Sequence, residues 1–487
     1  MLMMMKLKFK NLLLLFVMVA LAASCGDDDD NGPDLSDPDD ADMESVEITD
    51  ETEELEGAMY GTLTEGTYKL VGDLYILEGE EIVMEPGVRI ESTAGGIDVG
   101  ESHSIFVNGS FYSLGTENNP NWITTVPENR SKANFLKGYL GTIEGRPSAE
   151  NMVFKWTHIE FGGGPSGPGS NLYDEGETMK TIRTQSFDTK LIVEDSWFFG
   201  TTDDAIRPDG AKIAILRNTF ESIGGIEGEI LNAKNSVQGD FAYNMIIGHG
   251  TNGPKTGGSS SGPSSGDVTT DINVYNNTIV GGGFRRVADG RGGSMNIERQ
   301  ARGYWYNNLV VNCRYGMRVV DDTDYDNTYI GYTHYYGNDV FNNDEGDLSN
   351  NFYPEHGTIV RDWDAGHNPS NPFPTDHIEG DNLDNVDPEF VDAKIDFMQA
   401  DYRNVHEGTT HEPLDLNRVG DQDFRLDPNS PLVGAGSATA FNPVNSITTI
   451  GDKGLSAPVP GPSDDIGCYP SNNNGNQHFT HDYYPSN

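Results

Sequence analysis

The stretch Ile213-Ala-Ile-Leu-Arg-Asn218-Thr-Phe220 decides the fold, because the chain repeats its pattern. Apolar residues alternate before a polar residue, and another apolar residue stands two positions after it. The residues three before and two after the polar position are apolar or aromatic in all seven copies. The polar positions of these copies are Thr157, Ser196, Asn218, Asn244, Asn277, Asn308 and Asn338.

Successive copies are 39, 22, 26, 33, 31 and 30 residues apart, so a constant short strand alternates with a return path of variable length. Alternating apolar positions place one face of a strand inward. One such strand cannot bury its face alone, whereas stacked copies share a core at a spacing of about 4.8 Å. The pattern predicts an all-β solenoid in which Asn supplies left-handed turn geometry and its side chains bond from coil to coil. An antiparallel sandwich with Asn-rich turns is the alternative.

The first 24 residues, 1–24, form a targeting segment. Three lysines stand among the first ten residues, and residues 12–23 form an apolar run that is too short to span a bilayer. The ending Leu21-Ala-Ala-Ser-Cys25 resembles the cleavage box of bacterial lipoproteins. The resemblance implies cleavage before Cys25, lipidation of its thiol and anchoring in outer-membrane lipid. An ordinary secretory signal is the alternative.

Residues 25–58 are predicted to form a disordered acidic tether. Between Gly26 and Glu56 the chain has sixteen acidic residues and no Lys or Arg, and such a segment repels itself. An acidic run directly after the lipidated cysteine also resembles the surface-export signal of some Gram-negative bacteria. That resemblance implies a protein on the outer surface of the cell, and a periplasmic spacer is the alternative.

The charge of the chain restricts its partners. It has 77 acidic and 31 basic residues, and its formal net charge is −46. We therefore expect no nucleic acid as a partner, whereas divalent cations are compatible with this composition. We also expect a monomer. Cys313 and Cys468 form either a disulfide or two separate buried thiols, depending on whether the C-terminal segment folds back on the coils.

Further motifs carry a family resemblance. Met84-Glu-Pro-Gly-Val-Arg-Ile90 and Asp465-Ile-Gly467 resemble the first and last segments of right-handed parallel β-helix proteins on bacterial surfaces, a group that includes pectate-lyase-like enzymes. The resemblance implies a right-handed parallel β-helix domain over residues 59–470, followed by a C-terminal tail at 471–487. Such helices carry several activities, so the fold alone does not specify one.

The strand that precedes each Asn-bearing strand is the candidate functional face. We align Ile206, Ile230, Ile297 and Val319 as inward residues, which places acidic and arginine side chains outward from coil to coil. The residues that point outward or lie at the strand edges are Asp203, Asp204, Arg207, Glu229, Asn296, Glu298, Arg318, Asp321 and Asp322.

This face suggests a polysaccharide lyase that acts on acidic glycans. In β-elimination the carboxylate of the uronic acid must be neutralised before a base removes the C5 proton. The face is similar to that of pectate-lyase-like enzymes. The similarity implies that calcium (Ca²⁺) is held by Asp203, Asp204 and Glu229, and that Arg318 or Arg299 acts near the proton. Arg207 is assigned to substrate binding.

Two other functions remain open. A glycoside hydrolase would use two carboxylates, such as Asp204 and Glu298, as acid and base. A glycan-binding or adhesive lipoprotein would stack aromatic rings on sugars and hold acidic groups with Arg285, Arg286 and Arg291. The aromatic candidates are Trp156, Trp197, Tyr304, Trp305 and Tyr306, of which Trp305 falls on the inward phase and is expected in the core.

Overall fold

The computed structural model describes the chain from residue 43 onward, with gaps. The described ranges are 43–167, 172–258, 268–283, 285–286, 293–314, 316–320, 322–337, 359–361, 373–380, 386–393, 422–447 and 459–478. The predicted signal segment, Cys25 and most of the tether lie outside these residues, as do Arg291, Asp321 and Asn338. Within the described ranges, no helix is long and apolar enough to cross a membrane.

The described chain is almost entirely β-structure, and 29 of its strands join in one network through parallel pairing. Most strands pair with equivalent strands one turn of chain before and after them, which makes three ladders that we number in chain order. The first ladder contains β6 (His103–Val107), β9 (Leu140–Gly145), β12 (Ile182–Thr184), β19 (Pro254–Gly257), β22 (Met295–Glu298), β25 (Met317–Val320) and β28 (Ile359–Arg361).

The other two ladders are built in the same way. The second contains β4 (Glu81–Met84), β7 (Ser110–Leu114), β10 (Asn151–Lys155), β13 (Lys190–Glu194), β20 (Asp271–Tyr275), β23 (Gly303–Tyr306), β26 (Thr328–Gly331) and β29 (Ile378–Glu379). The third contains β5 (Val88–Ser92), β8 (Asn121–Thr125), β11 (Thr157–Glu160), β14 (Trp197–Phe199), β16 (Thr219–Glu221), β18 (Met245–Ile247), β21 (Thr278–Val280), β24 (Leu309–Val311) and β27 (His334–Tyr336).

A few elements depart from this scheme. The long strands β2 (Glu54–Leu63), β3 (Gly66–Ile76), β15 (Ile206–Leu216) and β17 (Leu231–Ala242) pass from one ladder to another, and the short strand β1 (Val46–Glu47) pairs with β2. Antiparallel pairing joins β30 (Phe390–Asp392) to β31 (Asp423–Leu426), and 3-10 turns lie at Lys132–Asn134, Tyr325–Asn327 and Thr375–His377. The all-β class and parallel, solenoid-like pairing are confirmed, whereas the right-handed β-helix stays a prediction.

The interior of the ladders is one continuous apolar core, because the alternating residues of every ladder point into it. The predicted inward residues are buried there on both sides of the polar position. They are Phe154, Val193, Ile215, Phe241, Val274 and Trp305 before it, and Ile159, Phe198, Phe220, Ile246, Ile279 and Val310 after it. Trp305 therefore packs in the core, as its phase predicted.

The predicted Asn column is confirmed at the start of the third ladder. The backbone N–H of Asn218 donates to Oδ1 of Asn244 at 3.0 Å, and the N–H of Asn244 donates to Oδ1 of Asn277 at 3.0 Å. The same bond joins Asn277 to Asn308 at 3.1 Å, and Ser196 donates to Asn218 at 3.0 Å. Each side chain thus satisfies the buried N–H that the turn leaves unpaired in the neighbouring coil.

Two details of that prediction were wrong. The left-handed residue is the one before the column, for example Arg217 with φ 57° and Asn276 with φ 50°, while the Asn itself provides the side-chain bonds. In the last coil Leu309 pairs with His334, so the column continues at Thr333 instead of Asn338, and Tyr335 pairs with Val310. Asn338 itself lies outside the described residues.

Regular structure begins before residue 59, where the sequence placed the start of the folded domain. Strand β1 starts at Val46 and β2 at Glu54. Ile48 and Leu55 are buried in the main core although acidic residues surround them in the sequence. The high charge of this region led to the prediction of a disordered segment. Its two apolar residues nevertheless extend the core by a further turn of chain.

The C-terminal segment, residues 422–447 and 459–478, packs against the outer faces of the second and third ladders. Tyr243 and Tyr275 donate hydrogen bonds to the carbonyl groups of Gly461 and Pro460 at 2.6 and 2.7 Å. Part of the predicted tail is included, since the Asn476 amide donates to the carbonyl of Asn218 at 3.0 Å. Cys313 and Cys468 are separate buried free thiols, because they lie in different apolar clusters.

Candidate functional site

The outward side chains of the first ladder form a polar column. Parallel pairing runs from Glu144 to Arg183 and Arg207, and continues through β17, β19 and β22 to β25. Successive members are one coil apart, at about 4.8 Å. We call these residues the outer column: Glu144, Arg183, Arg207, Asn232, Lys255, Asn296 and Arg318. Four of the seven are cations, although the whole chain is strongly acidic.

The predicted alignment of this face was partly wrong. Ile206 pairs with Leu231 instead of Ile230, and Ile297 and Val319 lie two positions beyond the level of Ile206. The turns before these strands differ in length, so counting back from the Asn column does not recover the register. An error of two positions keeps the inward phase, which is why the outward placement of Arg207, Asn296 and Arg318 was correct.

Each of the three carboxylates predicted to bind calcium has protein partners. The carboxylate of Asp203 accepts a bond from Nζ of Lys180 at 2.9 Å. Asp204 accepts from the backbone N–H of Glu229 and from the amide of Asn232, each at 2.8 Å. Glu229 accepts from the amide of Asn252 at 3.1 Å.

The ammonium group of Lys180 occupies the position beside Asp203. In the part of the chain that the structure describes, no three His, Cys, Asp or Glu side chains converge as metal ligands. The structure does bring Asp204 and Glu229 together at the edge of the outer column. Calcium binding stays a prediction, and no chemical step is assigned to the ion.

Lys255 lies between two buried carboxylates. Its Nζ is 3.9 Å from Oε1 of Glu229 and 3.3 Å from Oε1 of Glu298, so these oxygen atoms are at most 7.2 Å apart. Burial and the charge of Asp204 raise the pKa of Glu229. Burial opposes ionisation of Glu298 too, but Lys255, Lys234 and Arg299 outweigh it and lower its pKa to about 2. The pKa values of the two carboxylates are therefore shifted in opposite directions.

Lys234 is a buried amine in a cationic environment. It lies on β17, two positions after Asn232, and pairs with Asp209 of the preceding coil. Its side chain is almost completely buried. Burial, followed by the charges of Lys255 and Arg207, lowers the pKa of Lys234 to about 8. A substantial fraction of this amine is therefore neutral in mildly alkaline solution, where it can accept a proton.

The two predicted catalytic arginines differ in position. Arg318 is a buried member of the outer column, and its guanidinium donates to Oδ1 of Asn252 at 2.9 Å. Asn252 in turn donates to Glu229, so a hydrogen-bonded chain joins Arg318 to this carboxylate. Arg299 follows the end of β22 with φ 52°, and its Nε is 4.0 Å from Oε1 of Glu298. Arg318 is thus linked to Glu229 through Asn252, whereas Arg299 lies beside Glu298.

The arginines predicted to hold acidic sugar groups differ in their surroundings. Arg285 is buried and donates to the carbonyl groups of Ile223, Gly224 and Gly248 at 2.7 to 2.8 Å. These bonds hold Arg285 on the turns after the third ladder, which is a structural role. Arg286 is half-buried and close enough to Glu229 to oppose the rise in its pKa. Arg291 lies outside the described residues.

The aromatic side chains predicted to bind sugars are used largely in packing. Tyr304 stacks on Phe441 of the C-terminal segment, with ring centroids 5.0 Å apart. Trp197 stacks between His158 and His478 at 4.3 and 4.0 Å. Tyr306 and Trp156 also contact this covering segment, through Phe441 and His478. These contacts hold the C-terminal segment in place.

Sequence reasoning missed four basic residues of this face: Lys180, Arg183, Lys234 and Lys255. A signal existed for Lys234, because Asn232 and Lys234 alternate with apolar residues as outward positions of a strand do. Lys255 sits in a Gly-rich segment that reads as a loop, and only the pairing of β19 with β17 and β22 reveals its place.

Neither family models, nor curated protein sequences, nor solved structures match the chain significantly.

Proposed function

We propose that the protein is an outer-membrane lipoprotein, anchored through Cys25, that cleaves an acidic polysaccharide by β-elimination on the outer face of its first ladder. The coil is proposed to be a right-handed parallel β-helix. The observation that carries the reaction is the outer column, in which Arg183, Arg207, Lys255 and Arg318 stand in one register. A row of fixed cations is suited to a chain of uronic acid carboxylates.

The chemistry follows from charges within this column. A cation bound to the substrate carboxylate stabilises the negative charge that develops when the C5–H bond breaks. The neutral amine of Lys234 takes this proton, the electron pair of the C5–H bond forms the C4=C5 double bond, and the C4–O bond breaks. The leaving oxygen takes a proton from water, so the products are a new chain end and an unsaturated uronide. Lys234 replaces Arg318 and Arg299 as the proposed base, because an arginine remains protonated at these pH values.

A polysaccharide must reach this face, although its side chains are largely buried. Lys255 exposes 12% of its side chain, and Lys234 and Arg318 expose less. At one end Tyr173 covers the column, since its hydroxyl accepts from Arg183 at 3.1 Å and its ring lies beside Lys180. A polymer that follows the column past Arg183 must therefore displace Tyr173.

A glycoside hydrolase is the second candidate, and one observation favours it. Glu229 and Glu298 are joined through Lys255, and their pKa values shift in opposite directions. The Oε1 atoms of Glu229 and Glu298 that face Lys255 are at most 7.2 Å apart. This limit is compatible with the distance of about 5 Å between the two carboxyl groups of retaining enzymes. Glu229 takes the place that the sequence gave to Asp204, whose carboxylate is bonded to a backbone N–H and to Asn232.

The deciding experiment incubates the full chain with uronic acid polymers and neutral polysaccharides, with calcium and with a chelator. Ultraviolet absorbance that grows together with reducing ends supports the lyase, and reducing ends without absorbance support the hydrolase. Retention of a polymer in an affinity gel without cleavage identifies a binding protein instead. A Cys25→Ser variant tests the anchor, because it should lose fatty-acid labelling and leave the membrane fraction.

A further inference from the structure

The outer column continues beyond the cations into an aromatic pair. Glu144 pairs with Phe106 of β6, and Phe106 pairs with Tyr75 of β3. The rings of Tyr75 and Phe106 stack with centroids 5.1 Å apart and an interplanar angle of 28°. Both side chains are half-buried on the outer face of the ladder, so part of the pair remains accessible to solvent.

A cation completes this pair. The guanidinium of Arg146 lies 4.4 Å from the ring centroid of Phe106 and 5.6 Å from that of Tyr75. Its Nε is 3.9 Å from Oε1 of Glu144, the next member of the outer column. The arrangement therefore combines a half-buried aromatic pair with a positive charge that lies over its rings, in register with the cations of the same face.

We propose that Tyr75 and Phe106 form a sugar-stacking subsite that extends the outer column and takes one uronic acid ring of a long acidic polysaccharide. Aromatic rings accept the apolar face of a sugar, and the charge of Arg146 is complementary to the carboxylate of that sugar. The inference rests on the proposed function, because it is the cationic column that selects an acidic polymer. The pair serves binding and positioning, and it takes no part in bond cleavage.

The geometry makes this subsite dependent on chain length. Phe106 and Arg207 are three pairings apart in the column, which corresponds to about 14 Å, and Phe106 and Lys255 are five pairings apart, or about 24 Å. A short oligosaccharide held near Lys255 cannot reach the rings. A long one spans both, so only long chains gain affinity from the aromatic pair.

The test measures binding of a uronic acid trimer and of a long oligomer, each prepared from polygalacturonate and from alginate, to the full chain. Phe106→Ala and Tyr75→Ala are the test variants. Tyr329→Ala is the matched control, because Tyr329 is also half-buried and stacks on Tyr304 at 4.9 Å, but on the second ladder. We expect both test variants to bind the long oligomer about tenfold more weakly and the trimer unchanged, with the control like the wild type.

The outcomes separate the two proposals. If the wild type binds long oligomers and both ring variants bind them equally well, the subsite is overturned while the acidic-polymer function stands. If the wild type binds none of these polymers, the proposed function itself is overturned, and the subsite with it. Phe106→Leu guards against misfolding, because it keeps apolar volume without a ring; it should melt like the wild type and still lose the gain for long oligomers.

Discussion

Asn244 donates both its backbone N–H and its side-chain amide to Oδ1 of Asn277, each at 3.0 Å. Asn277 repeats the arrangement on Asn308 at 3.1 and 3.0 Å. One oxygen atom therefore satisfies two donors of the coil before it, and the donors of its own residue are satisfied by the coil after it. The column makes each turn depend on its neighbour, which couples the stability of adjacent coils.

Replacement of Asn277 by Leu should lower the free energy of unfolding by about 1–3 kcal/mol. The substitution removes the acceptor for two donors of Asn244 and leaves a buried N–H unsatisfied. Denaturant unfolding followed by circular dichroism measures the change. Asn327→Leu is the control, because Asn327 lies in an exposed turn, and it should stay within about 0.5 kcal/mol of the wild type. Equal losses in the two variants would contradict the special role of the column.

Lys234→Met should reduce the lyase rate at least about a hundredfold, because it removes the proposed base. In the wild type the base must be neutral, so kcat/KM should rise with pH and level off above about 8, the pKa of Lys234. Initial rates of ultraviolet absorbance across this pH range provide the measurement. Lys212→Met is the control on β15, where Lys212 is half-buried and 3.7 Å from Asp188. A rise of the same shape in Lys234→Met would exclude this lysine as the base.

Arg318→Ala should lower turnover about a hundredfold without unfolding the coils, because it removes a fixed cation from the outer column. We expect its neighbour Asn252 to keep its bond to Glu229 in the variant, because this bond does not involve Arg318. Arg425→Ala is the control, since Arg425 is exposed and paired with Asp423 far from this face. Rates and melting curves are needed for both variants. Full activity of Arg318→Ala, with normal melting, would remove Arg318 from the site.

Asp240→Asn should flatten the dependence of stability on pH between about 4 and 8. Asp240 is fully buried and accepts bonds from the N–H groups of Val444 and Asn445 at 3.0 and 2.7 Å. Burial raises its pKa to about 7, above an ordinary value of about 3.9. A carboxyl whose pKa is raised by folding contributes stability that is complete below pH 4 and is lost as the pH rises through 7.

The size of that loss is about 4 kcal/mol at most, which follows from the difference between the two pKa values. Unfolding midpoints of the wild type and of Asp240→Asn at several pH values test the prediction. Asp188→Asn is the control, because the side chain of Asp188 is 90% exposed. Parallel pH profiles for the wild type and Asp240→Asn would show that Asp240 does not titrate in this window.

The sequence predicted the structure best where a residue type has a single role within a short stretch of chain. The residues around Asn218 and Asn277 alternate strictly, so the inward face and the ladder of amides were both predictable. The prediction failed at Ile230 and Asn338, because the turns between strands vary in length and the pattern does not record how many residues each turn holds. Lys255 escaped notice for the same reason, as its strand is short and surrounded by glycine.

The amino-acid sequence by itself determined that this protein is a parallel stack of short strands. Burial of the alternating apolar residues and hydrogen bonding of the turn N–H groups by Asn side chains both depend on short stretches of sequence. The tertiary structure alone decided which charged side chains meet. Lys255 lies between Glu229 and Glu298, because pairing between coils joins residues that are far apart in the sequence. The same pairing stacks the ring of Tyr75 on that of Phe106, and all these partners are 26 to 43 positions apart. Long-range register of this kind depends on every intervening turn, and no local pattern encodes it.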